Sequence, residues 1–204
     1  MTALGDGDQV LAMFLKGLEL FQGTQLDKAA MQFQNSMQAA PTFTPSRLYM
    51  GAVLAEANKH KEAAGLLQSA ATTPPDAALA LMAGEEWLKA GQPQLAVTPL
   101  ELAVQQPNVD ARARRSLGVA YILSGRASDA ASALSQYLDG HPTDATALLA
   151  ALYSTDARHL PSAQAATLVA DRANMAKWSK AYLATKAPLQ SLVTAWAKYV
   201  QQLK

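Results

Sequence analysis

Cysteine is absent from this chain of 204 residues, which excludes disulfides, thiolate metal sites and cysteine nucleophiles. Charged residues are sparse, at 16% against roughly 25% in average soluble domains. The formal net charge is only +1, so no overall field directs the protein toward nucleic acid or a membrane surface. We therefore expect no nucleic-acid partner and no membrane partner.

Signals for membrane insertion and export are also lacking. No apolar run approaches the roughly 18 residues of a membrane span, and the N-terminal stretch MTALGDGDQV has neither the basic nor the apolar region of a signal peptide. As written, the sequence predicts a soluble, cytoplasmic protein. An extracytoplasmic location would follow if an exported parent chain had been truncated, so the native compartment stays open. Residues 1–8 are interpreted as a linker or the edge of a longer chain.

Acidic residues are missing from the end of the chain. None follows Asp171, whereas six basic residues do: Arg172, Lys177, Lys180, Lys186, Lys198 and Lys204. This basic end is interpreted either as solvated helix surface or as a docking face for an acidic partner.

What the chain has in abundance is apolar residues, which make up half of it, while glycine contributes only 11 positions. Alanine is the prominent member of this set, and it favours helices that pack closely. No window shows the strict alternation of a β-strand. The composition therefore predicts an all-α fold.

Four glycines recur at a nearly constant spacing of 34, 33 and 34 residues: Gly17, Gly51, Gly84 and Gly118. Three residues beyond each lies a larger side chain: Leu20, Leu54, Trp87 or Tyr121. Twelve residues beyond each lies an alanine: Ala29, Ala63, Ala96 or Ala130. Four positions further lies Phe33, Leu67, Leu100 or Leu134, and a proline stands near the end of each unit: Pro41, Pro75, Pro107 and Pro142. Self-similarity at this period predicts a repeat architecture.

The pattern resembles the tetratricopeptide repeat (TPR), a 34-residue helix–turn–helix unit. That family has a small residue at its eighth position, an aromatic at its eleventh, an alanine at its twentieth and a proline near its thirty-second. The resemblance covers residues 9–142 in four units: 9–42, 43–76, 77–109 and 110–143. The first two units have leucine in place of the aromatic, and the family's tryptophan near the start of each unit is missing. The resemblance implies an all-α, right-handed solenoid of stacked helix pairs that binds proteins and rarely performs chemistry.

The spacing predicts eight helices, at 9–22, 25–39, 45–57, 60–72, 77–90, 93–105, 110–124 and 127–139. Asp76 and Asp110 are expected to be N-caps. Residues 143–204 are predicted to form a divergent fifth helix pair, in which Leu152 takes the glycine position, and an amphipathic capping helix within PLQSLVTAWAKYVQQL. Trp178 and Trp196 are expected to pack inside this cap.

The recurring glycines and alanines are predicted to face each other where the two helices of a unit cross. Small residues there would let flanking side chains such as Tyr121 and Leu134 interdigitate. Burial of each such side chain is worth about 1.5–3 kcal/mol, which exceeds the cost of up to about 1 kcal/mol for a glycine within a helix.

A second stripe on the first helix of each unit is, by the resemblance, the lining of a concave groove. It comprises Phe14, Leu18, Phe21, Leu48, Ala52, Leu81, Glu85, Leu88, Arg112, Arg115, Val119 and Ile122. Such a groove would suit an amphipathic helix or an extended hydrophobic segment, with Arg112 and Arg115 available to acidic residues of the ligand. Burial of the stripe in the first unit against a preceding domain, a second subunit or the chain's own tail explains the pattern equally well, and both interpretations stay open.

Chemistry has little support in the sequence. His60, His141 and His159 fall in turns and are expected to be solvated, and no phosphate-binding loop or zinc spacing is present. We therefore expect no enzyme activity, no metal and no cofactor. The favoured hypothesis is a protein–protein interaction module, or scaffold, that binds an unidentified protein or peptide, or other domains of a parent chain. One alternative is a structural or self-associating solenoid in an envelope or secretion assembly, of which a homodimer is one form. The other is catalysis or small-molecule sensing, with a compact ligand in the groove.

Overall fold

The computed structural model describes residues 6–72, 74–106, 109–156 and 172–202. Within these ranges the secondary structure is helical and contains no named strand. In chain order the helices are α1 (Asp6–Gln22), α2 (Leu26–Ala39), α3 (Thr44–Glu56), α4 (His60–Ala70), α5 (Ala77–Lys89), α6 (Pro93–Gln105), α7 (Ala111–Leu123), α8 (Ala127–Gly140), α9 (Ala145–Thr155), α10 (Arg172–Ala184) and α11 (Gln190–Gln202).

The eight helices predicted from the repeat are confirmed, with ends that differ by at most three residues. Both predicted N-caps are also confirmed. An Asp76 carboxylate oxygen accepts hydrogen bonds from the backbone N–H groups of Ala78 and Leu79, and Asp110 accepts one from Arg112. Of the second helix of the predicted fifth pair, only Arg172–Ala184 lies among the described residues.

The turn inside each of the first four helix pairs places one residue in the left-handed region, at Thr24, Asn58, Gly91 and Gly125. The following N–H reaches back five residues, as from Gln25 to the carbonyl of Leu20 at 2.9 Å. The same bond recurs from Lys59, Gln92 and Arg126. This bond is the mark of the Schellman ending, which satisfies carbonyls that a helix end otherwise leaves unpaired. The same turn geometry therefore recurs with the period of the repeat.

The recurring glycines lie under a large side chain of the partner helix. A Cβ on Gly17 would be 2.5 Å from Phe33 Cε1, and one on Gly51 would be 2.5 Å from Leu67 Cδ2. Leu100 and Leu134 lie in the same way over Gly84 and Gly118. The alanine of each pair is also inaccessible: Ala29, Ala63, Ala96 and Ala130 are all 0% exposed. The atoms nearest to an added Cβ at these glycines are thus those of the leucines and the phenylalanine.

The chain divides into two compact units, Met1–Gln106 and Pro107–Lys204. In the first unit, α1 to α6 pack in sequence, each helix against the next. In the second unit, α7, α8 and α9 pack in sequence, α10 packs on α9, and α11 packs on α10. The core of the second unit includes both Trp178 and Trp196, each 2% exposed, as expected for cap residues. The boundaries of the individual repeats remain a prediction.

Candidate functional site

An apolar cavity of about 350 Å³ lies in the second unit, between α7, α9 and α11. Helix α7 lines it with Val119, Ile122 and Leu123; α9 lines it with Thr146, Leu149, Ala150 and Tyr153; α11 lines it with Leu192 and Trp196. The volume is at the lower end of the roughly 300–1,000 Å³ typical of ligand sites. Two of the predicted groove residues, Val119 and Ile122, therefore line one cavity.

The wall formed by α9 continues the repeat register into the divergent region. Thr146, Leu149 and Tyr153 follow Arg112, Arg115 and Val119 by 34 residues each, so the positions predicted to line a groove recur in the predicted fifth unit. Sequence reasoning missed this wall because the glycine that marks the other units is replaced by Leu152, which is fully buried. The 34-residue offset was the signal that could have found it.

The third wall depends on the way in which α11 is held. Val193 and Trp196 of this helix are 0% and 2% exposed. The indole N–H of Trp196 donates a hydrogen bond to the carboxylate of Asp156, which follows the end of α9 and is completely buried. This contact joins α11 to the end of α9. The sequence predicted an amphipathic cap but not its contact with a groove.

The cavity opens to solvent through large apolar side chains. Leu123 is 58% exposed, and Tyr153 and Leu192 are each 41% exposed. Neighbouring exposed apolar residues are unusual unless they form an interaction site. The nine lining residues include no histidine, lysine, arginine, aspartate or glutamate, so the surface is suited to recognising apolar groups.

One end of the α7 wall is basic, because Arg112 and Arg115 precede Val119 on the same helix. Arg112 pairs with Asp110, with Nη2 and Oδ2 2.9 Å apart, and Arg115 Nε lies 3.4 Å from Asp144 Oδ2. Both arginines are thus ion-paired within the second unit, while 65% and 42% of their side chains stay exposed. The side-chain hydrogen bond from Arg112 lowers the pKa of Asp110.

Asp144 joins three helices beside this basic end. It caps α9 by accepting from Ala147 N–H at 3.0 Å, and it accepts from the Tyr137 hydroxyl of α8 at 2.9 Å. Burial raises the pKa of Asp144, but these hydrogen bonds and the Arg115 charge outweigh burial and hold the pKa below its ordinary value. Burial, with the bond to Asp144, raises the pKa of the Tyr137 hydroxyl. The carboxylate of Asp144 therefore fixes the start of α9.

The predicted groove residues of α1 are Phe14, Leu18 and Phe21. All three are half-buried and pack on the core of the first unit. The Phe14 ring centroid lies 5.9 Å from that of Phe33, 5.3 Å from Phe43 and 5.6 Å from Tyr49, and Phe21 lies 6.1 Å from Tyr49. These rings hold α1 against α2 and α3. Since all three residues keep part of their surface exposed, these contacts do not decide between an open groove and burial against a further partner.

The remaining predicted groove residues belong to α3 and α5. Leu48, Ala52, Glu85 and Leu88 are half-buried. Leu81 is only 3% exposed and belongs to the core, so it cannot line an open groove. Its position on the stripe did not predict its burial, because most of the neighbouring residues of α5 are buried as well.

The predicted packing residues Trp87 and Tyr121 are each 8% exposed. Trp87 donates its indole N–H to Gln68 at 2.6 Å, and the Arg126 guanidinium lies 4.3 Å above the Tyr121 ring. The polar N–H of Trp87 is thus hydrogen-bonded, and the face of the Tyr121 ring is covered by a cation.

The expectation of a solvated His60 was wrong. His60 begins α4, and its Nδ1 lies 2.7 Å from Oε2 of Glu86 on α5. Glu86 is buried, and its other oxygen accepts from Lys89 at 2.6 Å. Glu86 lies on the inner face of α5, and a buried carboxylate needs such partners. His60 and Lys89 supply them. His141 is exposed as predicted but stacks on Tyr137, and His159 lies outside the described residues.

Neither a metal site nor a bilayer span was found in the described part of the chain. Those residues bring together no group of three or more histidine, aspartate or glutamate side chains that could hold an ion. None of the described helices combines the length and apolar character that crossing a bilayer requires.

Known proteins resemble this chain in structure rather than in sequence. No protein-family model matches it, and no curated protein matches its sequence. MamA, known from a crystal structure, has 17% sequence identity to this chain and a TM-score of 0.72. The match covers 88% of this chain and 93% of the MamA chain. YrrB, a TPR protein with an unusual peptide-binding site, is 18% identical, with 94% and 91% coverage and a TM-score of 0.69. MamA from Desulfovibrio magneticus is also 18% identical, with 90% and 100% coverage and a TM-score of 0.67. The helix pairs of this chain have the tetratricopeptide repeat fold.

Proposed function

We propose that this protein is a non-enzymatic interaction module that binds an apolar segment of a partner protein in the cavity between α7, α9 and α11. The observation that carries the proposal is the exposure of Leu123, Tyr153 and Leu192 around one apolar cavity. A segment that covered these side chains would remove apolar surface from water at about 25 cal/mol per Å².

A protein segment fits this surface better than a small molecule does. Small-molecule sites bury most of their ligand and orient it with a few polar groups. Here the rim is half-exposed, and the only polar groups on the lining side chains are the hydroxyls of Thr146 and Tyr153 and the indole N–H of Trp196, of which the last is directed to Asp156. The peptide-binding site of YrrB shows that a protein of this fold can bind peptides.

The test is affinity selection of random peptides on the full-length chain, followed by binding measurements on the enriched sequences. The double variant Leu123→Ser and Leu192→Ser removes two exposed leucines from the rim. Because both are exposed, stability should change little, while peptide affinity should fall by tenfold or more, which corresponds to about 1.4 kcal/mol.

Leu15→Ser is the matched control, since Leu15 is 53% exposed on α1 and lies outside the cavity. It should bind the enriched peptides as the original chain does. Selection of no peptide, or equal binding by the double variant, would contradict the proposal. A lower sedimenting mass of the double variant would indicate instead that copies of the chain associate through this surface.

A further inference from the structure

The charge of the chain is divided between its two units. Residues 1–106 contain six lysines and arginines against ten aspartates and glutamates, whereas residues 107–204 contain eleven against six. The formal charges are therefore −4 and +5, which the net value of +1 conceals. The cavity belongs to the basic unit, so the field near it favours an acidic ligand.

Basic side chains also continue the cavity wall along α7. Arg112, Arg115, Val119 and Ile122 are spaced by three, four and three residues, which places them on one face of the helix. At 1.5 Å per residue, Arg115 and Arg112 lie about 6 and 10 Å from Val119 along the helix axis. The apolar wall and the guanidinium groups thus form one continuous stripe.

Both arginines have partners in the second unit, but much of each side chain is still accessible to a ligand. Their side chains are 65% and 42% exposed, and the separation of 3.4 Å between Arg115 and Asp144 is long for a charged hydrogen bond. A guanidinium group has five N–H donors in a planar fork, and exposed ion pairs such as these contribute little by themselves. Either group can therefore bind a ligand carboxylate without giving up its place on α7.

From this stripe we propose that the segment bound in the cavity is acidic at one end. It carries apolar side chains over Val119 and Ile122, and one or two carboxylates about 6–10 Å away, at Arg115 and Arg112. In a helical ligand this separation corresponds to one or two turns. The inference rests on the proposed function, because it assigns the chemistry of the ligand in the same cavity.

The test compares two synthetic peptides on the full-length chain. Both peptides carry leucines at helical spacing. One has glutamates one to two turns from the leucines, and the other has lysines at the same positions. Each peptide is made in two versions, with the charged residues before or after the leucines. The glutamate peptide should bind at least about tenfold more tightly at low salt, and its advantage should shrink as salt screens the charges.

Arginine variants show whether the advantage arises at the proposed place. Arg112→Gln with Arg115→Gln should abolish the preference for glutamate, whereas Arg112→Lys with Arg115→Lys should keep most of it. Lys180→Gln removes one charge from α10, which does not line the cavity, and should leave the preference nearly unchanged.

The two proposals fail in different ways. Equal affinity for the two peptides, or a preference that survives in the glutamine variant, overturns the acidic ligand while leaving apolar binding intact. Failure of both peptides to bind overturns the inference and the proposed function together. Concentration-dependent association of the chain at low salt that blocks peptide binding would assign the charges to a second copy instead, and would also overturn the inference.

Discussion

A methyl group on Gly118 would lie 2.5 Å from Cγ of Leu134, on the other helix of the pair. Such a contact cannot form unless Leu134, which is completely buried, or the helices that carry the two residues shift. Overpacking of this kind costs about 1–3 kcal/mol, whereas replacing glycine by alanine within a helix gains up to about 1 kcal/mol. We therefore predict that Gly118→Ala lowers the free energy of unfolding by about 1–2 kcal/mol. Thermal melting should show a decrease of several degrees.

Gly65→Ala is the matched control for that substitution. Gly65 also lies inside a helix, α4, but no heavy atom outside its local backbone lies within 4 Å of the site of a Cβ. Only the higher helix propensity of alanine then affects stability, so this variant should be more stable than the original chain by about 0.5–1 kcal/mol. Equal effects of the two substitutions would show that Leu134 does not restrict Gly118.

The helix pairs could be predicted from sequence because their contacts are local. Gly118 and Leu134 are 16 residues apart, and the same distance separates Gly17 from Phe33. A constraint that recurs within every unit leaves a periodic mark on one sequence. The N-caps at Asp76 and Asp110 were predictable for the same reason, since each acts only on the next helical turn.

The cavity could be predicted only in part. Its α11 wall depends on a contact between Trp196 and Asp156, which are 40 residues apart and belong to no repeat. The pairing of His60 with Glu86 joins neighbouring helices but occurs once, so no period reveals it. The ring contacts of Phe14 with Phe33, Phe43 and Tyr49 could not be deduced either, because helical spacing does not show which side chains of neighbouring helices meet.

Asp144 should stabilise the fold in a pH-dependent way. Because its pKa is lower in the folded chain than the ordinary value of 3.8, its contribution is complete above that value and is lost as the pH falls through the lowered one. Asp144→Ala should cost about 0.5–2 kcal/mol at neutral pH, as removal of an N-cap usually does. The difference in melting temperature between this variant and the original chain should narrow as the solution is acidified below the ordinary value.

Asp144→Asn separates the cap from the charge. Asparagine still accepts a hydrogen bond from the start of α9 but does not titrate, and N-caps with asparagine are about as good as those with aspartate. At neutral pH this variant should be more stable than Asp144→Ala. If the gap between the original chain and Asp144→Ala were equally wide in acid, the carboxylate charge would have no role.

Trp196→Phe should loosen α11. The substitution keeps most of the apolar volume but removes the indole N–H that donates to the buried carboxylate of Asp156. Removing one partner of a buried hydrogen bond costs about 1–3 kcal/mol. We expect a decrease of that size in the free energy of unfolding, together with faster amide hydrogen exchange in α11. Unchanged exchange in α11 would mean that other contacts hold the helix.

Phe14→Ala distinguishes burial in the first unit from an open groove. Phe14 packs on the rings of Phe33, Phe43 and Tyr49, and each aromatic pair contributes about 0.5–1.5 kcal/mol beyond buried area. Since Phe14 is only half-buried, we expect a loss of about 2–3 kcal/mol, below the 3–5 kcal/mol typical of large core residues. A lower midpoint of urea unfolding with an unchanged slope would measure this loss.

Met31→Ala is the control for that substitution. At a residue that is 55% exposed on α2, it should change the midpoint little. An unchanged midpoint for Phe14→Ala, accompanied by weaker peptide binding, would indicate instead that Phe14 lines an open groove.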